Sequence, residues 1–368
     1  MRRIAAILLL LFALACGRPA EPESSDQTPK IDHDRGNLLL VPRGASVLTR
    51  SGENTLLTSA AHALDGDSDT VWQTPSGGAS QSMILSLAAP ARITRLGVLT
   101  TKHASESPQQ VRFAASSDAA SWRDVATIDV KDGAELHTID VTPFEARYLR
   151  ADLAEPREEF SVVRSLLAFG TELAPPAPPL LEGCWSINGK PARFVQRGSS
   201  VAGLIGDPPM FVSGGTDGRA FRVMWRKGPM WGAAIVGVDA QRRAMSGLVW
   251  HEDVIGRGGN GNAWFGAPAP CRDARIDETE IAAAVMQRAG HWMMYGDSAI
   301  DTAAALIRRE PSRRFRIVAR DAARMNGVRA ALQTRGIDVA RIGFEVASAT
   351  SPTESQRALA DGVALYTR

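Results

Sequence analysis

The hydrophobic period changes near residue 274, and that change constrains the fold more than any other feature of the chain. Upstream of it, short runs alternate apolar and polar residues, the period-two mark of strands with one buried face. The runs are MILSLA (83–88), RITRLGVLT (92–100), QVRFAASS (110–117), WRDVATIDV (122–130), LHTIDV (136–141), ARYLRADL (146–153) and VVRSLLAFG (162–170). Polar turns separate them, and short strands at this spacing predict a β-sandwich over residues 37–173. APPAPPL (174–180) is a Pro-rich, semi-rigid spacer. Residues 181–273 are again strand-like, rich in Gly, and hold five of the eight Trp: Trp185, Trp225, Trp231, Trp250 and Trp264. A small antiparallel barrel or meander fits that stretch. From 274 the period becomes helical. DETEIAAAVMQRA and SAIDTAAALIRRE read as helices, RRFRIVA as a strand, and DAARMNGVRAALQTRG as a helix stopped by Gly336. RIGFEVA is a strand, Ser351-Pro352-Thr353-Glu354 a helix start, and GVALYTR a closing strand. The expected architecture is multidomain and mainly β: a jelly-roll β-sandwich, a Trp-rich antiparallel β domain, and a small α+β domain at 274–368.

The composition excludes several classes. Of 368 residues, 44% are hydrophobic and 22% charged, an ordinary globular balance, and the net charge of +2 gives no electrostatic case for nucleic acid. The one stretch apolar enough to meet a bilayer is the extreme N-terminus, too short and wrongly flanked for a spanning helix. There Arg2 and Arg3 precede the apolar run Ile4 to Leu14, and Ala13 and Ala15 lead to Cys16. This is a secretory signal layout over residues 1–15. The Cys after A-L-A resembles a bacterial lipobox, which implies cleavage before Cys16 and its lipidation, with residues 16–36 as a flexible tether. A plain signal peptide with an incidental Cys is the alternative. Gly17 in place of Asp points, within that resemblance, to the outer membrane of the cell envelope.

With Cys16 committed to lipid, Cys184 and Cys271 remain, and an even pair in an exported protein favours a disulfide closing 181–273 on itself; two buried thiols are the alternative. No zinc pattern is present. Gly256 to Gly261 spells GxGxxG, but NAWFGAPAP follows, so no helix can start there to face a pyrophosphate. There is no GxSxG and no HExxH, and the six His are scattered. No nucleophile, base and orienting group can be named, so no residue is assigned to catalysis.

Three passages, A-L-D-G-D-S-D-T-V-W (63–72), S-S-D-A-A-S-W (116–122) and A-R-Y-L-R (146–150), make residues 37–173 resemble a discoidin domain, also called the coagulation factor 5/8 type C family. The resemblance implies a galactose-binding-like jelly roll that binds glycans, proteins or phospholipid through loops at one end, without catalysis. The loop tips are SGENT (51–55), TPSGGAS (74–80), TKHASESP (101–108) and EPREEF (155–160), and in them Lys102, His103, Glu106, Arg157 and Phe160 form a polar ligand site with one aromatic platform. Apolar spikes are nearly lacking, which favours a glycan or a cell-surface protein over lipid. Asp65, Asp67 and Asp69 set carboxylates at every second position beside the Thr70 hydroxyl, hard ligands suited to a structural Ca²⁺. The EF-hand template fails there, and a metal-free turn with Asp side chains on backbone N–H groups is the equal alternative. Trp72 and Trp122 adjoin strands and read as core.

The C-terminal stretch, with Gly336-Ile337-Asp338 and Arg341-Ile342, is similar to the C-terminal domain of outer-membrane protein A, a family that typically binds peptidoglycan through an Asp and an Arg. Asp321 does not align with that Asp, and Ala360-Asp361-Gly362 stands where the Arg is expected, so a peptidoglycan site is doubtful; Arg357 is the nearest substitute. The sequence therefore points to a lipid-anchored, non-catalytic envelope protein displaying a glycan- or protein-binding module. The alternatives are an outer-membrane-to-peptidoglycan anchor, and an accessory or catalytic subunit of a carbohydrate-active enzyme.

Overall fold

The computed structural model describes residues 35–154, 156–251, 261–271, 291–294, 296–319, 321–346 and 363–367. Cys16 and its leader, the helix expected at 277–289, the helix start at 351–354, Arg357 and 360–362, and most of the glycine motif at 256–261 lie outside the described residues.

The first block is a seven-stranded antiparallel sheet. Its strands are β1 (Ser46–Arg50), β2 (Trp72–Gln73), β3 (Gln81–Thr100), β4 (Gln110–Ser116), β5 (Arg123–Asp129), β6 (Leu136–Leu153) and β7 (Val162–Glu172). Their order is β2-β7-β3-β6-β4-β5, with β1 beside β3. Two pairs of expected strands are each a single strand: 83–88 and 92–100 are both β3, and 136–141 and 146–153 are both β6. The ladder between β3 and β6 shifts register between Ser86 and Ala91 and again between Ile93 and Arg95, the latter opposite the stretch from Asp140 to Phe144. Pro90 and Pro143 fall in these shifts. A residue without an N–H cannot serve the ladder, so the strands bend there instead of ending. The core holds Leu64, Trp72, Met83, Leu85, Ile93, Phe113 and Leu149, all essentially inaccessible. Trp122 departs from expectation. It precedes β5, is half-exposed, and lies under the Arg150 guanidinium at 5.3 Å. The S-S-D motif before it is a turn. The Asp118 carboxylate accepts from the N–H groups of Ser121 and Ala120 and from the Ser116 hydroxyl, and these bonds lower its pKa to about 2.

The second block is a closed eight-stranded antiparallel barrel in which neighbours in sequence are neighbours in space. It runs β8 (Gly183–Ile187), β9 (Lys190–Arg197), β10 (Ser200–Ile205), β11 (Met210–Thr216), β12 (Phe221–Lys227), β13 (Met230–Val238), β14 (Met245–His251) and β15 (Asn262–Pro268), and β15 pairs back onto β8. Trp185, Phe194, Phe221, Trp225 and Trp264 pack in one buried cluster. The expected disulfide is present: Cys184, on β8, is bonded to Cys271, just beyond β15, with Cα atoms 5.2 Å apart. The bridge therefore ties the seam at which the barrel closes, where Ala269 N–H also donates to the Cys184 carbonyl at 3.0 Å.

Sheet and barrel share a core. Leu248, Ala263 and Phe265 of the barrel join the sheet's apolar cluster, and Trp250 packs against it. Val47 N–H donates to Ser246 Oγ at 2.7 Å, and Ser86 Oγ to Asp239 Oδ1 at 2.9 Å. Arg219 grips Glu172 with two bonds of 2.6 and 2.7 Å, and the Arg50 guanidinium sits 3.4 Å above the Phe265 ring. A side chain on Gly237 would overlap the Ala45 carbonyl oxygen, so the approach of β13 to the chain before β1 requires glycine.

The C-terminal region is a small α+β unit: β16 (His291–Met294), α1 (Gly296–Arg309), β17 (Phe315–Ala319), α2 (Ala322–Thr334), β18 (Ile342–Val346) and β19 (Val363–Thr367). The sheet order is β16-β19-β17-β18, with only β17 and β18 parallel, as a crossover through α2 demands. Phe315, Ile317 and Ala319 alternate inward against Ile300, Leu306 and Leu332 of the helices. Asp321 caps α2 by accepting from Arg324 N–H at 2.8 Å.

Candidate functional site

The four loops expected to carry ligand chemistry come together. Gly52 O accepts from Trp72 Nε1 at 3.0 Å and Asn54 N–H donates to Gln73 O at 2.9 Å, tying 51–55 to β2. Thr74 N–H donates to Ser161 O, and Ser161 N–H returns a bond to Thr74 Oγ1 at 2.8 Å. Gly77 and Gly78 both donate to Glu159 O, at 3.1 and 3.2 Å. Both take positive φ, 121° and 72°, which lets two successive N–H groups converge on one oxygen. A bridge between Pro108 and Pro156 lays 101–108 beside 155–160. Arg157 then reaches Val130 O at 2.5 Å, and Gly133 N–H reaches Lys102 O at 3.3 Å. Both ends of the bent β3 thus meet at this end of the sheet.

Lys102, His103 and Arg157 are exposed, and Glu106 and Phe160 half-buried. The first three of the five lie around a single 3-10 turn, Ala104–Glu106, held by Glu106 N–H and Ser107 Oγ on the His103 carbonyl, both at 3.2 Å. Among the described residues no hydrogen bond or ion pair joins the five to one another; their proximity comes from the backbone bridge between the two loops. The chemistry on offer is two cationic donors, one imidazole, one carboxylate acceptor and one ring.

Beside these loops lies an open cleft of about 700 Å³ whose residues, Ser80 apart, the loop-based expectation missed. Ser80 to Ser82, Gln109, Gln110, Arg112 and Asp152 to Ala154 line it. Register explains the set. Ser82 pairs with Asp152, Asp152 with Arg112, and Arg112 with Thr127, giving one polar row across β3, β6, β4 and β5. Arg150 Nε holds Asp152 at 2.9 Å, and Gln110 Nε2 holds Asp129 at 2.7 Å. The alternation in QVRFAAS marks Gln110 and Arg112 as outward, but nothing in the sequence says which residues stand beside them.

The acidic turn at 65–70 closes on itself. Asp65 Oδ1 accepts from Asp67 N–H at 2.8 Å, Asp65 Oδ2 from Thr70 Oγ1 at 2.7 Å, and Asp67 Oδ1 from Asp69 N–H at 2.9 Å. These are the bonds of the metal-free alternative, and among the described residues no three His, Cys, Asp or Glu side chains converge as a metal set. His251 packs edge-on against Trp225 with ring centroids 4.7 Å apart, a packing contact.

The F5/8 type C domain family matches residues 45–164, a span that contains all four loops. No curated protein matches the chain. Among solved structures, a CBM32 module, CpGH89CBM32-5, from Clostridium perfringens in complex with GalNAc-β-1,3-galactose is 20% identical, with 36% of this chain and 99% of that one aligned at a TM-score of 0.33. The C-terminal domain of a chitobiase from Bacteroides fragilis is 20% identical over 37% of this chain and 99% of its own length, also at 0.33. Chitosan-binding module 1 of a chitosanase/glucanase from Paenibacillus sp. is 20% identical over 36% and 98%, at 0.32.

Proposed function

We propose that this chain is a glycan-binding protein that catalyses nothing itself and serves as an accessory to carbohydrate-active enzymes, with the loop end of its jelly-roll sandwich as the sugar site. One observation carries this: the family match over 45–164 coincides with four loops stitched together at one end, beside a polar cleft. The residue types suit the ligand. Sugar hydroxyls both donate and accept, so they need donors such as Lys102 and Arg157, acceptors such as Glu106 and Asp152, and amides such as Gln109 and Gln110 that do both. Phe160 adds a half-buried ring for the apolar face of a pyranose. A cell-surface protein is the alternative partner. Lipidation at Cys16 would hold the module at the bacterial envelope, in the outer membrane, and an outer-membrane-protein-A-like C-terminus would sit near peptidoglycan with little affinity for it. A Ca²⁺ ion at Asp65, Asp67, Asp69 and Thr70 would brace the sandwich from its side.

A glycan array probed with the full chain tests the proposal. We expect binding to at least one glycan class, weakened at least tenfold by Lys102→Ala combined with Arg157→Ala, with the melting temperature retained. An array on which the chain binds nothing, or binding indifferent to that pair, rejects the assignment of the loop end.

A further inference from the structure

A second cleft, of about 470 Å³, opens in the C-terminal α+β unit where β17 and β18 begin. Arg313, Arg314 and Arg341 stand on its rim with the exposed Pro311, while Phe315 and Ile342 beneath them belong to the buried core. The parallel register fixes this geometry. Phe315 pairs with Ile342, so the residue before each, Arg314 and Arg341, stands at the start of adjacent strands.

Among the described residues the charges there are only partly balanced. Arg313 has a partner, Glu310, at 2.6 Å. Arg314 and Arg341 are exposed, and among the described residues no acidic side chain pairs with either. Asp338, the nearest acid along the chain, caps the 3-10 turn Val339–Arg341 by accepting from Ala340 N–H. Both helices also end here: α1 closes on Arg308 and Arg309, and Arg308 donates to the Arg335 carbonyl just beyond α2. Cations at helix C-termini answer the macrodipole, which accounts for Arg308, Arg309 and Arg335. Arg314 lies in coil before β17, and Arg341 ends a three-residue 3-10 turn, too short to build a helix macrodipole. Gathering like charges costs free energy unless a counter-charge joins them.

We infer that this cleft is a binding site for a small ligand bearing an oxyanion, a carboxylate or phosphate group. Guanidinium forks match both groups through paired hydrogen bonds, and two forks on neighbouring strands can hold one oxyanion from two sides. The volume lies in the range of small-molecule sites. The site stands apart from the loop end of the sheet, and its assignment does not depend on the glycan proposal.

Calorimetric titration of the full chain tests it, with tri-galacturonate as the carboxylate probe, inorganic pyrophosphate as the phosphate probe, and maltotriose as the uncharged control. We expect at least one anion to bind while maltotriose leaves this site unaffected. Binding should fall at least tenfold in the double variant R314Q/R341Q, and should weaken steeply as salt rises from about 50 to about 500 mM. Both side chains are exposed, so the variant's melting temperature should stay within about 1 °C. If the double variant fails to fold, R314Q and R341Q singly report the same loss, each about threefold. The anion that binds identifies the group recognised. Failure of both anions to bind, or equal affinity in the variants, overturns the assignment.

Discussion

Removing the Asp239 carboxylate should loosen the barrel from the sheet. Asp239 follows β13, and its side chain is inaccessible to solvent. It accepts from Ser86 Oγ at 2.9 Å, from Arg243 Nε at 3.1 Å, and from the N–H groups of Gln241 and Arg243 at 3.2 and 3.3 Å. Arg243 in turn lies 4.7 Å from the Tyr148 ring and donates to the Asp118 carbonyl, both on the sheet. Burial alone would raise the Asp239 pKa, but the bonds from Arg243 and Ser86 and the Arg243 charge outweigh it and hold the carboxyl below its ordinary range. Asp239→Ala strands the arginine and the Ser86 hydroxyl together. Breaking a buried pair costs about 3–5 kcal/mol, and the Arg243 side chain is 33% exposed, so solvation recovers part of that, leaving about 2–3 kcal/mol. At a degree or two per kcal/mol for a unit of this size, the melting temperature should drop by about 2–6 °C. Ser86→Ala alone should cost about 1 kcal/mol, and the double variant should cost less than the sum, with a coupling of about 1 kcal/mol. Scanning calorimetry is the assay, and loss of the clasp should also broaden a single transition toward two. A shift below 1 °C for Asp239→Ala, or strict additivity with Ser86→Ala, would refute the clasp.

Acid should weaken the same junction. His62 is fully buried, takes the Ser59 N–H on Nδ1 at 3.1 Å, and meets the Gly261 carbonyl through Nε2 at 2.8 Å; burial, opposed by the Gly261 and Ser59 backbone contacts and by Asp67 and Glu53, lowers its pKa. The unfolded chain then takes up the proton first, so stability falls as pH drops through the ordinary value of about 6.5 and levels off below the folded value. Melting temperatures between pH 7.5 and 5 should decline in the wild type and flatten in His62→Gln; an unchanged slope would count against His62. Reducing Cys184–Cys271, 87 residues apart, should cost about 4–5 kcal/mol by loop entropy, read as a lower melting temperature in reductant; a loss under 1 kcal/mol would show that the strand ladder alone closes the barrel.

Periodicity made the elements legible and left their neighbours hidden. Alternation in QVRFAASS and WRDVATIDV suffices to name strands, and an even pair of Cys suffices to favour a bridge. The bends in β3 and β6 were not legible, because Pro90 and Pro143 signal a break equally well whether a strand stops or bulges. Trp122 reads as core yet is half-exposed, because adjacency to a strand says nothing about which face a side chain takes. The spacer at 174–180 reads as a separator, yet Glu172 just before it is held by Arg219 of the barrel. A linker's stiffness does not reveal whether the surfaces on either side are complementary.

The same limit applies to the two clefts. Each loop residue beside the first, from Lys102 to Phe160, is visible in the sequence because turns between strands collect polar and charged residues. The row from Ser82 through Asp152 and Arg112 to Thr127 is not, since it draws one residue from each of four strands and exists only once register is set. Arg314 and Arg341 are 27 positions apart, and each looks like an ordinary surface cation until the pairing of Phe315 with Ile342 sets them side by side. A one-residue slip in either ladder would send those side chains to opposite faces and dissolve both clefts. Register in turn is pinned by what lies underneath: Phe113, Ala151 and Met83 beneath the first row, Ile317 and Phe315 beneath the arginines. The apolar residues that carry no ligand chemistry therefore decide which polar residues can act together.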